Sequence, residues 1–502
     1  MMRPALAAAA LAALATSCTS DDFQIVTVTA RPSVRGATSL AVTLSNGGTT
    51  RQDTLALAQA TFPLTFSVST PGRSGDLAIS ADALDAHQLV VGRGAATTTT
   101  GAATAELLLD SADFVVNTDF ADDQFPADDF EAAGFQLAAL PTGAWTAAFR
   151  DACPSQSCTV FGRRFDANGA PIVTAVSGSD NAFAIDTRPT TSAATPAVAA
   201  GATTTLAVWD FYDAPAGTPS GVACRTLAAD GTANAVQGTL ASDAADVVAL
   251  AALTTGNFVA SWNASIATAE AIRAVIIQPD CTALGPVLTV STTAGFTHRS
   301  AVGSSGDRVL FTWIIDGVLY ARMMTIAGTF TTAADVILAN KTTTDQVVHA
   351  RIAPVAGGGF VVAARWAQNP PATGAGRIEL LRVDATGARV GTPSVVTTQT
   401  VTDADNRETF SLAAGTDGSV LVAWHTCGEL GDKSGCGVFG RRLRDTGEPL
   451  GDVFNLATTT TGDQRLPSVA ALPAGGYVAM WSDASATAPD TSNQSVRARI
   501  LY

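Results

Sequence analysis

The stretch Ser468-Val-Ala-Ala-Leu-Pro-Ala-Gly-Gly-Tyr-Val-Ala-Met-Trp481 contains two short apolar strands joined by a turn with two glycines. Glycine in the turn and a tryptophan at the end of the second strand favour a β-hairpin. The same unit, with a glycine six residues before the tryptophan, recurs at Gly256 to Trp262 and at Gly418 to Trp424. A hairpin that recurs along the chain predicts a repeat architecture.

Seven tryptophans mark this repeat at intervals of 51 to 64 residues. A third strand, which carries an arginine, follows each hairpin, and a turn then leads to a fourth strand. Four short strands at a period of about 55 residues predict the blades of a β-propeller, in which each tryptophan is a wedge between neighbouring sheets. The predicted blade-core residues are Trp145, Phe149, Trp209, Trp262, Trp313, Trp366, Trp424 and Trp481. The strand-three arginines are Arg163, Arg225, Arg273, Arg322, Arg382, Arg441 and Arg499.

The final unit reaches only its third strand at Tyr502. The segment Phe114-Val-Val-Asn-Thr118, at the beginning of the array, resembles a fourth strand that has no complete unit of its own. We therefore expect seven blades over residues 113–502, with the last blade built from both ends of the array. This closure would remove two exposed sheet edges.

Residues 23–112 lack tryptophan and lack this period. Short alternating stretches such as Leu40-Ala-Val-Thr-Leu44 are separated by turn clusters such as Ser45-Asn-Gly-Gly48. Six or seven such strands in ninety residues predict a small, immunoglobulin-like β-sandwich. The predicted fold class is thus all-β, with a small N-terminal β-sandwich followed by a seven-bladed β-propeller.

The first residues have the features of an export signal. Arg3 precedes an apolar run from Ala5 to Ala15, which is too short to span a bilayer but fits a signal peptide over residues 1–17. Small residues before Cys18 predict lipidation of that cysteine, with residues 18–22 as a tether; ordinary cleavage that leaves a free Cys18 is the alternative. Because Thr19 follows the cysteine in place of an aspartate, we expect a lipid-anchored protein of the cell envelope, at the outer membrane.

Six cysteines remain after Cys18, an even number in an exported protein. Cys153 and Cys158 bracket one short loop, and Cys427 and Cys436 bracket another, which predicts two disulfides. Pairing of Cys224 with Cys281 stays open. None of these spacings is the C-x-x-C of a zinc site, so disulfides are favoured over metal ligation.

The sequence shows no catalytic constellation. None of His87, His298, His349 and His425 lies at metal-ligand spacing, and there is no nucleophile elbow or phosphate-binding loop. His425, beside Trp424 and one cystine loop, is the most interesting histidine, although a polar strand end is the favoured interpretation. The strand-three arginines recur in every unit and are therefore interpreted as scaffold, either solvated or hydrogen-bonded between blades. We predict that the protein is not an enzyme and that it has no catalytic residues, cofactor or metal.

The charge and composition of the chain restrict the classes of partner that it can bind. The chain has 29 Lys and Arg against 44 Asp and Glu, a net charge of −15, which argues against nucleic acid. The acidic segment 119–131 is interpreted as a solvated linker, with calcium as the alternative. The cystine loops of blades one and six and the segment 483–495 form a candidate binding face, unless long loops are simply tolerated there. We expect a membrane contact through the lipid and a protein or glycan ligand on this face.

The repeat resembles the Trp-containing propeller-like repeats of uncharacterised bacterial surface lipoproteins and adhesin-like proteins. The residues that carry the resemblance are Val160–Asp166, Val438–Leu443 and the Leu-Pro-x-Gly turns at Leu140 and Leu472. The resemblance covers residues 113–502 and implies architecture, with a non-catalytic binding or scaffold role for a protein or glycan. The alternatives are an envelope glycan hydrolase that uses the propeller funnel and a purely structural surface protein.

Overall fold

The structure, a computed structural model, is all-β. It describes residues 23–57, 61–118, 135–151, 159–174, 181–188, 191–213, 218–228, 237–242, 245–266, 269–293, 295, 297–368, 376–398, 410–427, 435–491 and 494–502. Within these ranges no helix has the length and apolar character needed to cross a bilayer. The chain divides into two compact units, residues 1–112 and 113–502.

Seven strands form the N-terminal unit: β1 (Phe23–Ala30), β2 (Ser39–Asn46), β3 (Thr49–Ala56), β4 (Leu64–Ser69), β5 (Asp76–Leu84), β6 (Val90–Thr99) and β7 (Thr104–Ser111). Their order is β3-β2-β5-β6-β7-β1-β4, with β1 parallel to β7 and the other neighbours antiparallel. Buried and exposed residues alternate strictly along β7, as expected of a strand with one face on a core. Val26, Leu40, Ile79 and Leu107 from four of the strands meet in that core.

The second unit contains seven four-stranded sheets, whose strands run in order from the axis outward. Blade 1 has β9 (Phe135–Ala139), β10 (Trp145–Asp151), β11 (Thr159–Phe165) and β12 (Phe183–Ala184). Blade 2 has β13 (Thr191–Ala200), β14 (Thr204–Asp213), β15 (Thr218–Ala228) and β16 (Gly238–Ala241). Blade 3 has β17 (Ala245–Ala252), β18 (Phe258–Ile266), β19 (Ala269–Ile277) and β20 (Leu288–Thr289).

Blades 4 to 7 follow the same order. Blade 4 has β21 (Thr297–Ser305), β22 (Arg308–Ile315), β23 (Val318–Thr325) and β24 (Val336–Ala339). Blade 5 has β25 (Asp345–Pro354), β26 (Phe360–Gln368), β27 (Arg377–Val383) and β28 (Arg389–Thr397). Blade 6 has β29 (Phe410–Ala414), β30 (Ser419–Thr426), β31 (Gly437–Arg444) and β32 (Phe454–Asn455). Blade 7 has β33 (Gln464–Ala471), β34 (Tyr477–Asp483), β35 (Ser495–Leu501) and β8 (Phe114–Val115). The unit is a seven-bladed β-propeller, and the predicted fold class is confirmed.

Seven apolar clusters hold the ring together, one at each junction between neighbouring blades. Each tryptophan on a second strand lies in the cluster that its blade shares with the preceding blade; Trp424, for example, packs with Val361 and Ala363 of blade 5. The seven indole rings are between 0% and 6% exposed. Because a single sheet cannot bury both of its faces, this radial stacking is what makes each blade stable.

Both ends of the array build the last blade, as the sequence predicts. In β8, Val115 and Phe114 pair with Arg497 and Ala498 of β35. The Arg497 guanidinium is buried between two carboxylates, at 2.8 Å from Asp483 and 3.1 Å from Asp113. Asp113 in turn accepts one backbone hydrogen bond each from Thr458 and Thr459, in the segment that links blades 6 and 7. An ion network therefore joins the closing strand to the rest of the ring.

Arginines on the third strands connect neighbouring blades. The Nη1 atom donates to the carbonyl of a residue at the end of the preceding blade's fourth strand, at distances of 2.6 to 3.1 Å. The pairs are Arg163 to Val116, Arg225 to Ile185, Arg322 to Val290, Arg441 to Val396 and Arg499 to Leu456. In blade 5 the corresponding bond, to Leu338, comes from Arg389 on the fourth strand. Hydrogen bonding between blades, one of the two interpretations left open by the sequence, is what these five third-strand arginines do; for Arg273 and Arg382 the interpretation stays a prediction.

Two disulfides are formed among the described cysteines. Cys427 pairs with Cys436 as predicted, and Cys224 pairs with Cys281, which settles a pairing that the sequence left open. The second bridge joins β15 of blade 2 to the turn after β19 of blade 3. Cys153, Cys158, Cys18 and the whole segment 1–22 lie outside the described residues. Because disulfides persist in oxidising compartments, the two bridges indicate an extracytoplasmic protein.

Candidate functional site

A cavity of about 190 Å³ lies on the axis of the propeller. The first strands of all seven blades line it, so residues from β9 to β33 that are remote in sequence become neighbours. Its polar groups come from Gln136, Ser300, Arg351, Ser411 and Ser468. No Asp or Glu is among the described lining residues. In its described part the channel is thus a small concave site with a few polar groups and one cation, in a protein of net negative charge.

Five of the seven innermost strands are irregular near this channel, whereas β9 and β29 pair regularly with their neighbours. Pairing with the second strand slips between Ala193 and Pro196, between His298 and Ala301, and between Val347 and His349; β17 and β33 slip in the same way. Such bulges twist a strand and redirect its side chains. Arg299 and Leu466 lie in the slipped segments with φ of 56° and 57°, which side chains rarely adopt. Backbone strain of this kind is concentrated at functional sites.

His349 is a completely buried ionisable group in this region. The side chain is completely buried, and neither ring nitrogen has a hydrogen-bond partner among the described residues. Its ring lies edge-on to Phe410, with the centroids 5.0 Å apart. Burial, followed by the positive charges of Arg351, Arg299 and Arg365, holds the pKa of His349 well below its usual value. The imidazole is therefore neutral at pH 7.

Arg351 is the cation in the channel wall. Burial and the nearby charge of Arg299 lower its pKa to about 10, which still leaves the guanidinium charged at pH 7. Its Nη1 atom makes one long hydrogen bond, of 3.4 Å, to the carbonyl of Ala350. No described carboxylate forms an ion pair with it. Unlike Arg497, this arginine has no built-in counter-charge within the described part of the chain.

The group formed by His349, Arg351, Arg299 and Arg365 was not predicted from the sequence. The arginines that recur in every repeat are visible along the chain, whereas this group combines residues of two neighbouring blades and does not recur in the other repeats. The sequence feature that could have indicated this group is the pair His349 and Arg351 in the first strand of blade 5. The corresponding channel positions in blades 2 and 3 hold only apolar residues, namely Ala197, Val198, Ala249 and Leu250.

The other residues singled out in the sequence lie elsewhere. His425 is buried in blade 6, where its Nδ1 atom accepts a hydrogen bond from the Leu466 backbone at 3.4 Å. His87 is exposed on a turn of the N-terminal unit, and the side chain of His298 is not described. The acidic segment 119–131 and the loops 152–158 and 428–434 lie outside the described residues. The loop face stays a prediction, although blades 6, 7 and 1 are contiguous.

The structure gives no metal centre in its described part. No group of three or more His, Cys, Asp or Glu side chains is close enough there to hold an ion.

Comparison with known proteins gives structural neighbours only. No protein-family model matches the chain, and no curated protein sequence matches it. Among solved structures, a protein of unknown function from Dyadobacter fermentans is similar, with 12% identity, a TM-score of 0.45, and coverage of 78% of this chain and 98% of that chain. The Penicillium chrysogenum alpha-L-arabinanase has 10% identity, a TM-score of 0.42, and the same coverages. The NanB sialidase from Streptococcus pneumoniae has 10% identity, a TM-score of 0.41, and coverage of 92% and 95%.

The prediction that the protein is not an enzyme is wrong, because it excluded catalysis. An arabinanase, a sialidase and a polysaccharide lyase are among the solved structures to which the chain is similar. The prediction depended on finding no catalytic motif along the sequence. A propeller assembles its axial site from seven separate strands, so the absence of a local motif does not exclude catalysis.

Proposed function

We propose that this protein is an extracytoplasmic glycan hydrolase whose substrate enters the central channel. The observation that carries substrate binding is the channel itself, which offers hydroxyl, amide and guanidinium groups beside the Phe410 ring. Hydrolysis also needs a general acid and a base, and in this proposal they come from side chains outside the described channel lining. Sugars present the same combination, with hydroxyls at the rim and an apolar C–H face. The cavity, at about 190 Å³, is smaller than the ~300–1,000 Å³ pockets of drug-sized ligands, so it suits one sugar unit at a chain end.

Activity is tested by incubating the full chain with a panel of neutral and acidic polysaccharides and measuring the reducing ends released. Ala249→Trp places an indole in the channel wall and should reduce release at least tenfold because it excludes the chain end. The matched control is Val173→Trp, at a position that is 64% exposed on the outside of blade 1. If Ala249→Trp lowers the melting temperature, Gln136→Trp repeats the test from the part of the wall that blade 1 forms. Absence of release from every polysaccharide, or equal release by the blocked and control variants, contradicts the proposal.

We also propose that Cys18 is lipidated and anchors the protein at the outer membrane. The support is the sequence alone: the apolar run Ala5 to Ala15, the small residues before Cys18, and Thr19 after it. Several acyl chains, at about 0.8 kcal/mol per buried CH₂, would hold the protein at the membrane. The intact mass of protein extracted from a bacterial envelope should equal residues 18–502 plus lipid, and Cys18→Ala should release it into the soluble fraction. An unmodified cysteine in the mature protein would contradict the anchor.

A further inference from the structure

The strongest unassigned feature is a group of cationic and neutral nitrogen donors on blade 5 and the adjoining bulge of blade 4, which we call the channel cluster: Arg299, His349, Arg351 and Arg365. His349 and Arg351 are two residues apart on β25, so they project on the same side of the strand. Arg365, on β26, is the direct pairing partner of His349. Directly paired residues share a face of the sheet. Three of the four side chains therefore lie on one side of blade 5.

Like charges dominate the electrostatics of the channel cluster, and within it Arg351 has no ion-pair partner among the described residues. Each of the three arginines makes protonation of His349 less favourable, and Arg299 does the same to Arg351. At Arg497 the chain itself supplies two carboxylates that compensate the buried guanidinium. At Arg351 no described carboxylate does so. A like-charge cluster of this kind becomes favourable when an anion is placed among the donors.

His349 provides the second, independent observation. A buried imidazole whose two nitrogens both lack a described partner carries the cost of lost hydration on each nitrogen. Phe410, against which the ring packs, and Arg351 both line the channel. A ligand oxygen that reached this wall would meet the Arg351 guanidinium, and the buried His349, which does not itself line the channel, lies two residues away on the same strand.

We propose that the channel cluster is an anion subsite that binds the carboxylate or sulfate group of an acidic saccharide. Arg351 supplies the charge-assisted hydrogen bonds, His349 donates one N–H, and Arg299 and Arg365 add positive potential behind them. The small cavity volume limits the occupant to one charged sugar unit. The inference rests on the proposed glycan function and deepens it by naming the chemical class of the substrate.

Binding of single sugars to the full chain tests this directly, by titration calorimetry with glucuronate, galacturonate and glucose 6-sulfate, and with glucose and galactose as neutral counterparts. We expect the acidic sugars to bind and the neutral ones to bind at least tenfold more weakly. The uronates and the sulfate ester distinguish the two sources of negative charge, and binding of either group supports the subsite. Equal affinity for glucuronate and glucose overturns it without any variant being needed.

Variants then locate the site. Arg351→Gln should weaken glucuronate binding about 10–100-fold, since it removes a hydrogen bond between two charged groups, and Arg351→Lys should recover part of that loss. Arg444→Gln removes the same charge from an exposed position, with a side chain that is 61% exposed, and should leave affinity unchanged. In the wild type, glucuronate should also shift the imidazole ¹⁵N signals of His349. Undiminished affinity in a folded Arg351→Gln protein, or unshifted His349 signals on saturation, overturns the proposal.

The two proposals fail in different ways. Binding of acidic sugars without release of reducing ends from any polysaccharide supports the anion subsite and contradicts the hydrolase. Release from neutral polysaccharides only, together with equal binding of neutral and acidic sugars, supports the hydrolase and contradicts the subsite.

Discussion

At the scale of single residues, Trp209 differs from the other blade tryptophans. Its indole N–H donates to the Asp186 carboxylate at 2.9 Å, whereas the other six indole nitrogens have no hydrogen-bond partner among the described residues. Arg188 and Gln237 also bond to Asp186. Burial raises the pKa of Asp186, but the hydrogen bonds and charge of Arg188, with the bond from Gln237, outweigh it, and the pKa lies below its usual value. Trp209 is thus a blade-junction tryptophan whose indole N–H is hydrogen-bonded to a carboxylate.

This difference predicts unequal costs for the same substitution. Trp209→Phe should lower the free energy of unfolding by about 1–3 kcal/mol more than Trp424→Phe, because only the former removes a hydrogen bond to a charged acceptor. Urea unfolding of the two variants measures the difference. In the background Asp186→Asn the gap should shrink, since the acceptor is then uncharged. Equal losses in the wild-type background would show that the Trp209 bond contributes no net stability.

At the scale of secondary-structure elements, the closing strand β8 (Phe114–Val115) depends on the ion network around Arg497. Only two residue pairs join β8 to β35, although Val116 and Asn117 add backbone and side-chain hydrogen bonds to Val496. Arg497 is 4% exposed and contacts both Asp113, next to β8, and Asp483, at the end of β34. A buried ion pair of this kind is most informative when one partner is removed, because the remaining charges are left uncompensated.

Arg497→Met should therefore destabilise the propeller by about 3–5 kcal/mol, since two buried carboxylates lose their cation. Thermal unfolding measures the loss, and gel filtration reports any association through the sheet edge that β8 no longer covers. Arg444→Met is the matched control at an exposed site on β31 and should stay close to the wild type. A melting temperature in Arg497→Met equal to that of the control would mean that the network does not hold the ring closed.

At the scale of the whole molecule, the ring concentrates positive charge at its centre while the chain as a whole is acidic. The net charge is −15, yet the described channel lining contains an arginine and no carboxylate. A charge in a narrow channel walled by protein produces a stronger potential than the same charge on an open surface. An anionic ligand would therefore meet a favourable potential at the axis, which is consistent with the proposed anion subsite.

Local patterns in the chain were enough to predict the all-β class, the seven blades and the donated strand at Phe114. The alternation within a strand and the wedge-forming tryptophan are set by residues within one repeat, so each repeat reports its own fold. The Cys427–Cys436 bridge was predictable for a similar reason, since the two cysteines bracket a short loop.

The place where a ligand can bind, in contrast, depends on contacts between repeats. The side chains of Arg299, His349 and Arg351 come together because bulges shift the inner strands and because ring closure brings seven first strands to one axis. A shift of one residue reverses the face on which a side chain lies, and no short sequence pattern reports such a shift. The scaffold is thus encoded repeat by repeat, whereas the site exists only once the repeats have closed into a ring.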